Sequence, residues 1–215
     1  MHLTDKRFWI FDMDGTLTVP AHDFDAIRRD LGLPQGRPIL EQIAELPVEK
    51  AEPLYERLDE IERDIAGRAQ AQPGANELLS ALRARRVTLG ILTRNSHAAA
   101  LETLRTCGLA DFFESEHVMS RERCDLKPSG DGIRRLLALW EASPAQAVMV
   151  GDYVFDIMAG RDAGTTTVFI DNLGRPEFAE QADRSVKGLH ELLALVDHAG
   201  PRDLPGEAAR DRSQS

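Results

Sequence analysis

The sequence predicts an α/β fold: a doubly wound, Rossmann-like parallel sheet with a small α-helical cap inserted near its start. Short apolar runs alternate with helical segments over the second half of the chain, a pattern typical of parallel strands joined by helices. Several of these runs are followed directly by polar residues that can carry chemistry. Between residues 20 and 72, apolar residues recur at helical spacing alone, which indicates a separate helical insertion.

The first predicted element is a buried strand over the apolar and aromatic run from Arg7 to Phe11. It stops at Asp12, and Gly15 permits a sharp turn shortly afterwards. Because charged residues interrupt it so early, the run does not have the length of a signal peptide.

The predicted cap spans residues 20–72 and is closed by Pro73-Gly74. Prolines and glycines separate its helical segments. The apolar positions at helical spacing are Phe24, Ile27, Leu31, Ile39, Leu40, Ile43, Leu46, Leu54, Leu58, Ile61 and Ile65.

The remaining chain alternates helices and strands. We predict helices over 75–86, 96–107, 130–141, 154–163 and about 188–198, and strands over 87–92, 116–119, 147–150 and 166–170. Residues 1–19 and 73–199 thus form the predicted core domain. Met149 and Met158 are expected in its interior. Residues 200–215 are polar and are predicted to be a disordered tail.

Composition narrows the function. The chain has 215 residues, 42% hydrophobic and 29% charged, which is ordinary for a soluble globular protein. Its formal net charge of −10 disfavours nucleic acid as a partner, since the phosphate backbone is repelled. A phosphate site in such a protein would need local cations.

The cellular setting is predicted from two further features. Cys107 and Cys124 have no metal-binding spacing and form no disulfide framework, so we expect a reduced, cytoplasmic environment. No run approaches the roughly 20 apolar residues of a membrane helix, so we expect no membrane partner. The oligomeric state is not predicted.

The candidate chemistry follows the predicted strands. Ligands of open α/β sheets bind beyond the carboxyl ends of the strands, so these groups are expected along one edge. Together they suit a metal-bound phosphoryl group. The residues are Asp12, Asp14, Thr16, Thr93, Arg94, Asn95, Lys127, Asp152 and Asp156.

These motifs resemble those of the haloacid dehalogenase superfamily, in its phosphatase branch with a small helical cap, similar to phosphoglycolate phosphatases. Phe11-Asp-Met-Asp-Gly-Thr-Leu-Thr18 resembles the first motif and Ile91-Leu-Thr-Arg-Asn95 the second. Lys127-Pro128 matches the third, and Gly151-Asp-Tyr-Val-Phe-Asp156 resembles the fourth. The resemblance covers about residues 7–170.

The resemblance implies that Asp12 attacks phosphorus and is transiently phosphorylated. It implies that Asp14 protonates the leaving oxygen and later activates water, a role that needs a raised pKa. Dehalogenases of the superfamily lack an acid at the position of Asp14, because a halide leaves without a proton. The aspartate therefore favours phosphoryl transfer.

The resemblance also implies a Mg2+ site. Asp12 and Asp152 would hold the ion with the backbone carbonyl of Asp14, and Asp156 would ligate it directly or from a second layer. Thr93 would hydrogen-bond a phosphoryl oxygen, and Lys127 would neutralise its charge.

Several roles stay open in the sequence. Arg94 and Asn95 are candidate contacts to the leaving group, although a solvent-facing Arg94 is equally compatible with the sequence. For His22 a surface or core position is favoured over a catalytic one. Tyr153 either lines the site or packs beneath it.

The predicted function is magnesium-dependent hydrolysis of a small organic phosphomonoester, with phosphoglycolate-like acids and sugar phosphates as the expected classes. One alternative is a phosphomutase that returns the phosphoryl group to a sugar hydroxyl. The other is a binding or regulatory protein that retains the fold without turnover. The sequence does not identify the substrate.

Overall fold

A six-stranded, entirely parallel sheet forms the centre of the computed structural model, which describes residues 2–172 and 174–197. The strands lie in the order β3-β2-β1-β4-β5-β6, so β1 is flanked by β2 and β4. The strands are β1 (Phe8–Phe11), β2 (Thr88–Leu92), β3 (Val118–Met119), β4 (Ala147–Gly151), β5 (Thr166–Ile170) and β6 (Arg184–Val186).

Helices cover both faces of this sheet. They are α1 (Phe24–Asp30), α2 (Ile39–Ala44), α3 (Val48–Ala66), α4 (Ala75–Ala84), α5 (His97–Thr106), α6 (Asp131–Leu139), α7 (Val154–Asp162), α8 (Pro176–Ala179) and α9 (Leu189–Asp197). None of the described helices combines the length and apolar character needed to cross a membrane.

The alternation of side chains along β1 shows how the layers form. Trp9 and Phe11 are buried on one face, in a cluster with residues of α4 and α9. Ile10 points to the other face and is buried against α6 and α7. Because each face of a central strand is covered by helices, β1 is apolar throughout.

Residues 20–72, called the helical insert below, contain α1, α2 and α3 and have an apolar cluster of their own. The chain enters and leaves the insert side by side, since the Val19 amide donates to the Gln70 carbonyl and the Gln72 amide to the Leu17 carbonyl. Helix α3 packs against α5 of the sheet layer. The division into a core domain and a cap domain stays a prediction.

The structure confirms the predicted fold class, and the predicted strands and helices agree with it to within a few residues. The short strand β6 and helix α8 were not predicted. Strand β6 has three residues, of which only Val186 is buried, and α8 has four residues, so both are too short to show a periodic pattern. Met149 is buried as expected, but the prediction for Met158 is wrong, since it is 45% exposed on α7. The predicted disordered tail, residues 200–215, lies outside the described residues.

Candidate active site

Three of the predicted residues are placed by the ends of adjacent strands. Asp12, Thr93 and Asp152 directly follow β1, β2 and β4. The Asp12 amide still donates to the Val150 carbonyl (2.8 Å), and the Thr93 amide donates to Met119 (2.9 Å). The sheet ladder therefore fixes the backbone at the point where these side chains leave it.

Lys127 reaches the same edge from the loop before α6. Its Nζ donates to Asp12 Oδ1 (2.5 Å) and to Asp156 Oδ1 (2.6 Å), and the ammonium is buried. The second oxygen of Asp156 accepts the Tyr153 amide (3.0 Å) at the start of α7. One ammonium thus lies between two carboxylates that are 144 residues apart in sequence.

Two glycines make room for the carboxylates. A Cβ on Gly15, whose φ is +86°, would lie 2.3 Å from Asp152 Oδ2. A Cβ on Gly151 would lie 2.2 Å from the carboxyl carbon of Asp156. No side chain fits at either position without moving the acid, so both glycines are part of the site.

Burial and the proximity of other carboxylates shift the pKa values of the acids in the site. Burial, followed by the charges of Asp12 and Asp156, raises the pKa of Asp152 to about 8. Burial and Asp12 raise the pKa of Asp156 to about 6, against the opposing effect of Lys127. Burial by itself would lower the pKa of Lys127, but Asp12 and Asp156 raise it above its ordinary value. Lys127 is therefore charged and the three acids exceed it.

The donor set fits a magnesium ion. Carboxylate oxygens of Asp12, Asp152 and Asp156 lie within 4.8 Å of one another. Magnesium prefers oxygen ligands and commonly uses one or two carboxylates. A divalent cation would also favour the ionised form of Asp152, which burial and its neighbours disfavour.

Asp14 lies beside this cluster and faces two polar groups. Asn95 Nδ2 donates to its Oδ2 (2.6 Å), and His22 Nδ1 lies 3.4 Å from its Oδ1. Burial is the main reason that the pKa of Asp14 is raised, and Asp12 adds to it, whereas His22 and Asn95 oppose the shift. The raised pKa is the property that a proton donor needs.

Two threonines occupy different places in the site. Thr93 is buried, and its Oγ1 accepts the Asn95 amide (3.2 Å), which leaves its hydroxyl proton available to an acceptor in the cleft. Thr16 donates from Oγ1 to Asp152 Oδ1 (3.1 Å). Thr16 therefore orients a carboxylate, a contact that the sequence did not indicate.

The Arg94 side chain is only 22% exposed, and its guanidinium is paired with a carboxylate. Its guanidinium donates to both carboxylate oxygens of Glu41 in α2, at 2.7 and 2.6 Å, and to the Lys127 carbonyl. It also lies 5.3 Å from the centre of the Phe155 ring. Arg94, a candidate contact to the leaving group, thus forms an ion pair that joins the second motif to the helical insert.

A second ion pair between the insert and the sheet layer was missed by the sequence analysis. Arg121 Nη1 donates to Glu62 of α3 at 2.6 and 2.8 Å, and its Nη2 donates to Asp59. The Ser96 amide also donates to Glu62 (3.0 Å). Arg121 and Glu62 are 59 residues apart, so no local spacing marks them as partners.

A cleft of about 680 Å³ lies between the helical insert and the sheet edge. The predicted residues Asp12, Asp14, Thr93, Arg94, Asn95, Lys127, Asp152 and Asp156 all line it. His22 and Tyr153 line it as well, so Tyr153 does not pack beneath the site.

Comparison with known proteins identifies the family. Residues 9–164 match the family described as haloacid dehalogenase-like hydrolase. This chain belongs to that family. The match contains all the motif residues of the cleft, and the predicted resemblance is confirmed.

Named relatives agree with this assignment. A haloacid dehalogenase-like hydrolase domain-containing protein of Arabidopsis thaliana is 32% identical, over 86% of this chain and 78% of its own length. A phosphoglycolate phosphatase of Chromobacterium violaceum is 28% identical, over 91% of this chain and 99% of its own length. The chain is a hydrolase, and the relatives named as phosphatases support the prediction of a phosphatase.

Solved structures share the fold. A hydrolase from Pseudomonas syringae superposes with a TM-score of 0.75 at 22% identity, over 90% of this chain and 99% of that one. At this identity the likeness concerns the fold alone.

Proposed function

We propose that the chain hydrolyses a small organic phosphomonoester in a magnesium-dependent reaction that passes through phosphorylated Asp12. The observation that carries the proposal is the Lys127 ammonium between Asp12 and Asp156, with Asp152 close by. This arrangement supports a reaction in which Asp12 is the nucleophile, Lys127 a fixed cation and the nearby carboxylates hold a divalent ion.

Asp12 is the proposed nucleophile. Its carboxylate oxygen forms a bond to phosphorus while the bond from phosphorus to the alcohol oxygen breaks. The alcohol leaves with a proton from Asp14, whose raised pKa supports its presence as an acid. In the second half, Asp14 removes a proton from water, water oxygen attacks phosphorus, and inorganic phosphate leaves as the Asp12 carboxylate reforms.

Other residues act on the charge of the phosphoryl group. Lys127 supplies a cation, and Thr93 donates the hydroxyl proton that no described contact uses. Asn95 holds Asp14 in place through its amide. Fixed donors of this kind favour a transition state whose charge lies on the phosphoryl oxygens.

Asp12 and Asp152 are the proposed magnesium ligands. When bound, magnesium supplies positive charge and orients the phosphate oxygens. Both oxygens of Asp156 accept hydrogen bonds, one from Lys127 and one from the Tyr153 amide. We therefore assign Asp156 to orienting Lys127 rather than to direct ligation.

The wider setting stays a prediction. The described cysteines, Cys107 and Cys124, are free thiols, which supports the expected cytoplasmic location. The net charge of −10 supports the expected absence of nucleic acid as a partner.

An assay with 4-nitrophenyl phosphate tests the proposal. The full chain is measured after exhaustive EDTA treatment and again after magnesium is restored. We expect turnover to disappear and to return. Undiminished turnover in EDTA would refute the role of the metal, and no turnover of any phosphomonoester with magnesium would favour a binding protein.

A further inference from the structure

The proposed acid Asp14 is the first member of a continuous surface that runs into the helical insert. The His22 ring approaches Asp14 Oδ1 to 3.4 Å and stacks on Phe24, with 5.6 Å between ring centroids and 13° between ring planes. All three residues line the cleft. In the proposed reaction Asp14 delivers its proton to the leaving oxygen, so these two rings are the surface of the insert nearest to the leaving alcohol.

The His22 ring has unused hydrogen-bonding capacity. Its side chain is 8% exposed, and neither ring nitrogen has a hydrogen-bond partner among the described residues. A buried polar atom without a partner costs free energy unless a ligand or water satisfies it. A polar atom of a bound substrate near the ester oxygen would satisfy one of these nitrogens.

Beyond His22 the surface is apolar. Phe24 is 56% exposed at the start of α1, although Ile27 and Ile39 beside it in the cleft wall are buried. From the other side of the cleft come Tyr153 and Phe155, whose rings meet edge to face at 5.1 Å. An apolar group that covered these rings would remove apolar surface from water, which favours its binding.

On the side of the cleft formed by the helical insert, the charges do not favour an anionic alcohol. Three arginines that line the cleft are already paired with carboxylates, Arg28 with Asp25, Arg37 with Glu45 and Arg94 with Glu41. A substrate carboxylate that bound one of these three arginines would have to compete with the carboxylate already paired with it.

Two further charged residues of the cleft complete this picture. Buried Glu62 is already paired with Arg121. Arg175 has no carboxylate partner for its guanidinium among the described residues, and it lies over the rings of Tyr153 and Phe178. It follows β5 and is not part of the insert.

We propose that the cleft selects phosphomonoesters whose alcohol carries an uncharged apolar ring, and that Phe24 and His22 determine this preference. The inference rests on the proposed hydrolysis and names its substrate class. Phe24 stacks on the ring of the alcohol, and His22 positions the alcohol at its ester end, next to Asp14.

A matched set of alkyl phosphates tests the preference. Benzyl phosphate, ethyl phosphate and 2-phosphoglycolate all release an alkyl alcohol. Their leaving groups are more alike than an alkyl and an aryl alcohol would be, so differences in rate mainly report recognition of the alcohol. We expect kcat/KM for benzyl phosphate to exceed the other two on the order of tenfold, since partial burial of one ring contributes about that factor.

Variants assign the preference to the two rings. Phe24→Ala should remove most of the advantage of benzyl phosphate, because only the benzyl ring loses a direct contact, whereas any loosening of the stacked His22 ring lowers kcat/KM for benzyl and ethyl phosphate alike. His22→Phe retains an aromatic ring and removes both nitrogens, so it should lower kcat for benzyl and ethyl phosphate alike. Val48→Ala is the control, since Val48 is 65% exposed on the insert and does not line the cleft.

Binding of benzylphosphonate and ethylphosphonate, measured by calorimetry with magnesium, separates recognition from hydrolysis. A benzyl preference that depends on Phe24 in a chain without turnover would support the inference and refute the proposed hydrolysis. Turnover with phosphoglycolate preferred, or equal effects of Phe24→Ala on benzyl and ethyl phosphate, would overturn the inference and leave the hydrolysis intact.

Discussion

Two clusters of charge in this protein each have one cation and more than one carboxylate, but they differ in how deeply the carboxylates are buried. At the sheet edge, Asp12, Asp152 and Asp156 surround one ammonium, and the pKa of Asp152 is raised to about 8. Between the insert and the sheet layer, Arg121 pairs with buried Glu62, and its other acidic neighbours, Asp59 and Glu122, are 40% and 50% exposed to water.

This difference in the environment of the carboxylates indicates which of the two clusters is suited to catalysis. Burial raises the pKa of Glu62 too, but Arg121 opposes that shift and both groups have their hydrogen bonds. The second cluster is therefore complete in itself and fastens the insert to the sheet layer. In the first cluster the buried carboxylates outnumber the cation, so they are balanced either by protonation, as the raised pKa of Asp152 indicates, or by a bound cation. This is the condition expected of a metal and phosphate site.

The largest expected effects are losses of activity when the proposed nucleophile or the proposed acid is replaced. Asp12→Asn should reduce turnover of 4-nitrophenyl phosphate to background, a loss on the order of a thousandfold or more, with no phosphate on the protein. Asp14→Asn should give a burst of nitrophenol and then a slow steady state, because this leaving group needs little protonation but water still needs a base.

Rapid mixing and intact mass measurement distinguish these two variants. Phosphate should accumulate on Asp12 in the Asp14→Asn enzyme. Substantial turnover by Asp12→Asn, or label on another residue, would show that the mechanism is wrong.

Removal of the cluster's cation should be the next largest effect. Lys127→Met leaves Asp12 and Asp156 buried without their shared partner, and we expect a loss of about 3–5 kcal/mol in the free energy of unfolding. Added magnesium should raise the thermal midpoint of this variant more than that of the wild type, because it supplies the missing charge.

Lys187→Met is the matched control, since its amine is 77% exposed where it pairs with Asp171. Its midpoint should respond to magnesium as the wild type does. An equal response of Lys127→Met and wild type would contradict the charge imbalance.

Arg121→Met removes the cation of the second cluster and tests whether that cluster also responds to magnesium. It leaves Glu62 buried without a counter-ion, so a loss on the order of 3 kcal/mol is expected. Magnesium should not restore stability, since the carboxylates of this cluster belong to another part of the molecule. Arg105→Met, in an exposed pair with Glu102, should leave the midpoint unchanged. Rescue of Arg121→Met by magnesium would mean that the two clusters are coupled.

The smallest expected effect is that of Gly15→Ala. An alanine at positive φ costs about 1–2 kcal/mol, and its Cβ would also displace the Asp152 carboxylate. Gly32→Ala is the control, because its φ is +67° and nothing lies within 4 Å of an added Cβ. Both variants should lose stability, but only Gly15→Ala should weaken magnesium binding, by about tenfold or more in a calorimetric titration. Equal magnesium affinities would separate Gly15 from the metal site.

The sequence predicted much of the fold because its signals are local. Apolar runs that end in Asp12, Thr93 and Asp152 marked the strands, and alternation with helices implied that these ends share one edge. Strand β6 was missed because three residues with one buried side chain carry too little periodicity. Met158 was misplaced because a methionine on a helix does not reveal which face it occupies.

The sequence by itself determined the order of elements, the family and the residue types of the candidate site. Tertiary structure alone decided which charges are paired: Arg94 with Glu41, Arg121 with Glu62, and Lys127 with both Asp12 and Asp156. It also brought His22 of the insert to Asp14. The physical reason is that hydrophobic periodicity acts over a few neighbouring residues, whereas the balance of a buried charge depends on every group that folding brings near it.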